Sequence, residues 1–91
     1  MKPKPMVKDN NVIRIKGELT FDTVMSLWKA NDALVADAKV VDLSEVTRAD
    51  SAGVALLCEF KRRQHDLAFQ HTPEKLENII KLSGLSAFLL G

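Results

Sequence analysis

The sequence predicts an α/β domain in which a mixed, mostly parallel sheet is covered by helices. Short runs of β-branched residues alternate with longer segments of helical spacing, an order typical of parallel strands joined by crossover helices. The first two strand-like runs are separated by a short run of turn-forming residues, which indicates a hairpin. With 91 residues the chain has enough material for one domain with one modest core.

The N-terminal segments define the hairpin and its limits. Residues 1–5 are punctuated by two prolines, so we expect a flexible N-terminal tail followed by a single domain over 6–91. The strands are expected at 6–8 and 12–16, because Asp9, Asn10 and Asn11 favour tight turns. In the second strand Ile13 and Ile15 alternate with Arg14 and Lys16, as on a sheet with one wet face.

A helix and a strand are expected next. Thr20 or Asp22 can cap a helix that ends near Asp37. Its apolar positions follow three-and-four spacing and are Phe21, Val24, Met25, Trp28, Leu34 and Val35. Residues 39–43 form a short β-branched run that predicts a central strand buried on both faces. The polar residues 44–48 are expected to form a loop.

Two more helices follow, with a strand between them. Asp50 is placed to cap a helix over 51–63, and the apolar run 67–70 predicts a strand. Thr72 as the cap, Pro73 at the first helical position and Glu74 in the first turn predict the start of the next helix. Its apolar face is Leu76, Ile79, Ile80 and Ser83, and Gly84 is a natural C-terminal cap. The apolar tail 87–90 is expected to pack back as a helical turn or an edge strand.

Composition excludes several classes of function. Thirteen basic and twelve acidic side chains leave a formal charge of +1, and phosphate recognition needs a concentrated basic face, so no nucleic-acid partner is expected. The single cysteine, Cys58, excludes a disulfide framework and a cysteine-based metal site. The N-terminus has no apolar h-region, and the apolar runs are shorter than the roughly 20 residues of a membrane span. We therefore expect a cytoplasmic protein without direct membrane insertion.

The residues best placed for function are at the start of the 51–63 helix. Ser51 follows an acidic cap and precedes the small residues Ala52 and Gly53, so this helix end is open to another molecule and its dipole could accommodate a phosphate. The alternative is that Asp50 and Ser51 only cap the helix. The sequence leaves both interpretations open.

Trp28 and the histidines also admit two interpretations each. The only tryptophan is a core anchor or a docking hot spot, and because Leu27 and Trp28 are adjacent on a helix, one of them is a candidate for exposure. His65 and His71 are expected to be solvated rather than ligands. The chain has no Gly-x-Ser-x-Gly elbow, no dinucleotide-binding pattern and no P-loop, so we expect no catalytic residues, no cofactor and no metal.

The order of these segments resembles the STAS domain of anti-sigma factor antagonists. The resemblance covers about residues 6 to 90 and is carried by Gly17-Glu18-Leu19, Val41-Asp42-Leu43-Ser44 and Asp50-Ser51-Ala52-Gly53. Family members carry Asp-Ser-Ser-Gly or a close variant at the last of these, and in the sigma-factor branch a kinase phosphorylates the first serine. The resemblance implies Ser51 as the phospho-acceptor, and Ala52 replaces the second serine.

The chain also resembles the short STAS subunits of the Mla phospholipid ABC transporters of Gram-negative bacteria. The shared residues are Gly17-Glu18-Leu19, Asp22, Val24, Leu27-Trp28, Asp42-Leu43-Ser44, Val46, Arg48, Asp50, Gly53 and Ala55-Leu56-Leu57. This resemblance implies a subunit that binds the cytoplasmic ATPase, an MlaF-like protein, within a complex with permease and lipid-binding subunits. Such a subunit is peripheral to the inner membrane and supports the assembly and activity of a transporter that maintains outer-membrane lipid asymmetry.

Two functions are therefore expected from the sequence. The first is a transporter subunit that docks onto an ATPase, and the second is an anti-sigma factor antagonist switched by phosphorylation of Ser51. The residues expected to bind the partner are Trp28, Thr47, Arg48, Asp50, Ser51, Ala52 and Gly53.

Overall fold

The computed structural model of the chain describes residues 6–30, 35 and 37–90. Four strands and four helices follow one another in these ranges. They are β1 (Met6–Asp9), β2 (Val12–Leu19), α1 (Phe21–Ala30), β3 (Val40–Ala49), α2 (Ser51–Arg63), β4 (Ala68–Gln70), α3 (Glu74–Leu82) and α4 (Ser86–Leu89).

The strands form one mixed sheet in the order β1-β2-β3-β4. β1 and β2 are an antiparallel hairpin, and its turn includes Asn10 with a positive φ of 56°, which asparagine tolerates. β2 and β3 are parallel, as are β3 and β4. The predicted fold class, a mixed and mostly parallel sheet covered by helices, is confirmed.

The core lies between the sheet and a layer of helices. α2 is the central helix of this layer and contacts both α1 and α3. Alternate residues of the strands face the helices and are buried, whereas the opposite face carries polar side chains such as Arg14, whose Nε lies 3.6 Å from Asp42 Oδ2. The largest fully buried side chains are Ile13, Ile15, Leu19, Leu27, Val35, Leu43, Leu56, Leu57, Phe60, Leu67, Leu76 and Ile80.

The structure corrects two expectations for β3. Residues 44–48, expected as a loop, continue the strand, and β3 is buried on one face rather than both. Arg14 pairs with Asp42 and Lys16 with Glu45, so β3 has an extra residue at a bulge there, with another shift between Gly17 and Glu18. The bulge before Val46 keeps this residue on the buried face. The polar residues around it can then remain in the strand, because their side chains are exposed.

The start of α3 is also different from the prediction. The helix begins at Glu74, and its N-cap is Pro73, with no side-chain capping bond, instead of Thr72. Pro73 has extended backbone geometry, with φ −60° and ψ 149°, so it precedes the helix instead of forming its first turn, and the acidic residues Glu74 and Glu77 of that turn compensate the helix dipole. At the other end Gly84 follows the helix with φ 74°, as its predicted capping role requires, and the apolar tail forms α4.

Only part of α1 can be compared with its prediction. Leu34 and the expected continuation toward Asp37 fall on residues 31–34 and 36, and the predicted tail falls on 1–5; all of these lie outside the described residues. Within α1, Leu27 is buried, but Phe21, Met25 and Trp28 are exposed. The exposure of Trp28 beside the buried Leu27 agrees with the expectation that one of the two is exposed, and the helix carries apolar side chains on two sides.

Candidate functional site

Asp50 joins the first turns of two helices. It has extended backbone geometry as the N-cap of α2, and its Oδ1 accepts a hydrogen bond of 3.1 Å from the backbone N–H of Gly53. Its Oδ2 accepts a second bond of 3.0 Å from the backbone N–H of Phe21, the first residue of α1. One carboxylate thus satisfies an orphan donor on each helix and fixes the two helix starts side by side.

These bonds stabilise the ionised form of Asp50. The hydrogen bond from Phe21 N–H, followed by those from Gly53 and Ala52, lowers the pKa of the carboxyl below its usual value, and burial opposes this effect only in part. A lowered folded-state pKa contributes stability above the unfolded pKa, and this contribution is lost as the pH falls through the folded pKa. The tie between the helices is therefore intact at neutral pH, and it is lost only when the pH falls below the usual pKa range of an aspartate.

Removal of this carboxylate should cost measurable stability. We expect Asp50→Ala to reduce the free energy of unfolding by about 1–3 kcal/mol at pH 7, because it removes an N-cap and a second, long-range hydrogen bond. Asp50→Asn keeps an acceptor oxygen and should cost less. Urea unfolding at pH 7 and pH 3.5 measures both, and the difference between the parent and Asp50→Asn should shrink at the lower pH. A difference that stays constant between the two pH values would contradict the role of the charge.

Ser51 is the first residue of α2 and is exposed. The next residues bring α2 close to the sheet. A Cβ added to Gly53 would lie 2.1 Å from the carbonyl oxygen of Leu19 at the end of β2. Gly53 is thus buried and sets the distance between helix and sheet, whereas Ser51 faces outward, which is the placement expected for it.

An apolar groove lies between α1 and α2. Its rim is formed by Phe21, Met25 and Trp28, which are 75%, 63% and 40% exposed. The groove has a volume of about 370 Å³ and is lined, besides these three, by Val24, Ala52, Ala55 and Leu56. Three large exposed apolar side chains in one place are unusual for a soluble domain of this size and mark a surface for another molecule.

A second groove lies on the other side of α2 and shares Trp28 and Ala55 with the first. Its volume is about 410 Å³, and it extends from Ser51 at the start of α2 to Arg62 near its end. The turn between α3 and α4 closes it with Ser83 and Leu85. Cys58 contributes a neutral thiol to this lining, because burial raises its pKa.

The orientation of Trp28 is fixed by a neighbouring arginine. The guanidinium carbon of Arg63 lies 5.4 Å from the centre of the Trp28 ring, within the range of cation–π attraction. Arg63 Nε also donates to Glu59 Oε1 at 3.3 Å. The two helices are consequently joined at both ends, by Asp50 at their starts and by Arg63 and Trp28 near their ends.

The structure brings together some of the residues expected at a partner surface and separates others. Trp28, Ser51 and Ala52 lie on the two grooves, and Asp50 caps the helix that carries Ser51 and Ala52. Thr47 and Arg48 line a different groove, together with residues 73–76 at the start of α3. His65 and His71 are exposed. Across the described ranges, no group of three or more His, Cys, Asp and Glu side chains is arranged to hold a metal ion.

The lining residues that sequence reasoning did not assign to a partner surface include Phe21, Met25, Ala55, Cys58 and Arg62. Met25 and Leu27 are two residues apart and therefore about 200° apart on a helix, so a single core-facing stripe could not contain both. That angle is the signal that could have revealed an outward apolar face.

No helix among the described residues combines the length and the apolar character required to cross a bilayer.

The fold is that of a STAS domain. A solved structure of the anti-sigma factor antagonist SpoIIAA in its unphosphorylated form is similar to this chain with a TM-score of 0.70, covering 93% of this chain and 84% of the other at 17% identity. The family profile described as "Mlab, STAS domain" matches residues 5–91. The chain belongs to this family, the MlaB-type STAS domains.

Two curated relatives agree with the family. The intermembrane phospholipid transport system binding protein MlaB of Escherichia coli K12 is 28% identical over 88 residues, which cover 92% of this chain and 91% of that protein. The protein of the same name from Shigella flexneri shows the same identity and coverage. The relatives are thus named as a binding protein and an antagonist, and neither name describes an enzyme.

Proposed function

We propose that this chain is a non-catalytic subunit of a phospholipid ABC transporter and that it works by docking onto the cytoplasmic ATPase subunit, an MlaF-like protein. The observation that carries the proposal is the exposed apolar stripe of Phe21, Met25 and Trp28 beside Ser51. Aromatic and methionine side chains are enriched in interfaces, and tryptophan is over-represented among hot spots. Similarity to MlaB over nine-tenths of both chains supports the transporter.

In this proposal the protein is cytoplasmic and reaches the inner membrane only through the transporter. The complex contains permease and lipid-binding subunits and maintains the lipid asymmetry of the outer membrane. The STAS subunit supports the assembly and activity of the ATPase by occupying one surface of it, and the residues that contact the ATPase are Trp28, Ser51 and Ala52, with Asp50 holding the two helices in place.

A phospho-regulated antagonist is the second candidate. It is favoured by one observation, the exposed hydroxyl of Ser51 directly after Asp50 at the start of α2. A phosphate there is favoured by the helix dipole. The genomic neighbourhood discriminates between the two functions, because a transporter subunit is expected beside permease, ATPase and lipid-binding genes and an antagonist beside a sigma factor and a kinase.

Substitution of Ser51 tests the docking surface. Ser51→Glu should leave the thermal melt unchanged, because a carboxylate in the first turn of α2 is favoured by the dipole by about 0.3–1 kcal/mol. Binding should be lost, because a charge buried against a surface that lacks a counter-ion costs several kcal/mol. Co-purification with the ATPase from native cells is the measurement.

Ser51→Ala is the matched control for that experiment. It removes at most a hydrogen bond of about 0.5–1.5 kcal/mol and should weaken binding only mildly. If Ser51→Glu retained full ATPase binding, this helix end would not be the docking site, and the Asp50-Ser51 pair would be a structural cap.

A further inference from the structure

The two grooves form one continuous surface across α2. Both contain Trp28 and Ala55. On α2 the two grooves are therefore separated only by the methyl group of Ala55 and not by a large side chain. α1 and α2 run side by side in the same direction, since Asp50 joins their starts and Arg63 meets Trp28 near their ends. The surface is about 20 Å long, the length of the thirteen residues of α2.

This shape fits an α-helix. Grooves between packed helices accept the side-chain ridges of a third helix, and amphipathic helices bind such grooves through apolar residues spaced three and four apart. An added β-strand, by contrast, requires the main-chain groups of a sheet edge. The α1–α2 face presents side chains only, so a helix of about three turns is the matching occupant.

Basic side chains lie at the end of the surface that is formed by the last turn of α2. Near the end of α2, Glu59 is shared between two arginines: Arg63 Nε lies 3.3 Å from one carboxylate oxygen, and Arg62 Nη1 lies 3.9 Å from the other. The Arg62 side chain is 74% exposed and lines the second groove. Among the described side chains, Arg62 is the more exposed of the two cations at this end, because Arg63 is only 30% exposed.

We infer that the α1–α2 face binds an amphipathic helix of its partner, with large apolar side chains in the two grooves and an acidic side chain paired with Arg62. This inference rests on the proposed function, which supplies the partner. The apolar contacts give affinity. The pairing with Arg62 fixes the position of the helix along the face, because it places an acidic side chain beside the last turn of α2.

A charge reversal tests the acidic contact. Arg62→Glu should weaken binding of the ATPase subunit encoded by the same genome about tenfold, because the attraction lost and the repulsion gained are each a factor of a few for exposed charges. The affinity of the parent should fall with added salt, and Arg62→Gln should flatten that dependence. A thermal melt of each variant verifies the fold.

Lys81→Glu is the matched control. Lys81 is 58% exposed near the end of α3 and has a comparable ion pair, 2.9 Å to Glu77 Oε1, but it lines neither groove of the α1–α2 face. Its reversal should change the affinity less than twofold if binding is confined to the α1–α2 face. Equal losses for the two variants, or a normal affinity for Arg62→Glu, would overturn the inference.

Two native side chains report whether both grooves are filled. Trp28 is the only tryptophan and Cys58 the only cysteine, so ATPase binding should shift the tryptophan emission and protect the thiol from alkylation. A response from Trp28 while Cys58 reacts at its original rate would restrict the partner to the first groove and contradict a helix across α2. Failure of the parent domain to bind the ATPase at all would instead refute the proposed function, and this inference with it.

Discussion

Gly53→Ala is expected to destabilise the domain by about 2–4 kcal/mol, although the same change inside a solvated helix stabilises it by up to about 1 kcal/mol. The added methyl carbon would lie 2.1 Å from the Leu19 carbonyl oxygen and 2.8 Å from its Cγ. A backbone oxygen at the end of a central strand cannot move aside alone, so α2 must shift as a unit. Urea unfolding monitored by circular dichroism measures the change.

Gly84→Ala is the control for that prediction. Gly84 has a positive φ of 74° and open space around it, so the substitution costs only backbone strain of about 1 kcal/mol. A stability for Gly53→Ala equal to or above that of the parent would show that α2 does not pack as closely on β2 as described.

Leu57→Ala should be at least as costly. Leu57 is fully buried in the middle of α2, and loss of a buried leucine side chain costs about 2–5 kcal/mol, since a cavity remains between the helix layer and the sheet. In a domain of this size each kcal/mol lowers the melting temperature by about 4–8 °C. We expect a decrease of more than about 10 °C in a thermal melt, and Leu56→Ala, which is equally buried, should behave alike.

Leu82→Ala provides the comparison at an exposed leucine. Leu82 is on the outer side of α3, so its truncation leaves no cavity and should alter the melting temperature by no more than about 2 °C. Parent-like melts for both Leu56→Ala and Leu57→Ala would mean that α2 is misplaced.

The sequence allowed α2 to be predicted with its observed limits because its signals are local. Asp50 supplies a cap one residue before the helix, and basic residues follow in its last turn. Both signals act within a few residues of the chain and do not depend on what packs against the helix.

β3 could not be predicted in full, because its second half depends on a neighbour distant in sequence. Its polar residues between 44 and 48 are typical of a loop when considered alone. Pairing with β2 keeps them in the strand, and one face of the sheet lies away from the helices, so that Glu45 is exposed and pairs with Arg14 at 3.8 Å. The bulges arise from pairing with β2 and interrupt the two-residue alternation by which one-sided burial is recognised in a sequence.

The proposed docking surface could be predicted only in part, for a similar reason. Spacing showed that Phe21, Met25 and Trp28 share one side of α1, but not whether that side faces the sheet. The orientation of α1 is set by Leu27, which is buried in the core, and by the hydrogen bond from Phe21 N–H to Asp50, which holds the start of α1 next to the start of α2. The exposure of Ser51 at the start of α2 could be predicted, because it follows from the cap alone.

The two-layer arrangement has a consequence for how this domain can vary in sequence. The inner side of α1 and α2 faces the core permanently. Their outer side would be buried only when a partner binds. The outer face of the sheet carries Arg14, Asp42 and Glu45 and belongs to neither of these helix surfaces. Sequence differences among relatives should therefore accumulate on that face. It is also the side on which a tag or a surface anchor can be attached without obstructing the helices.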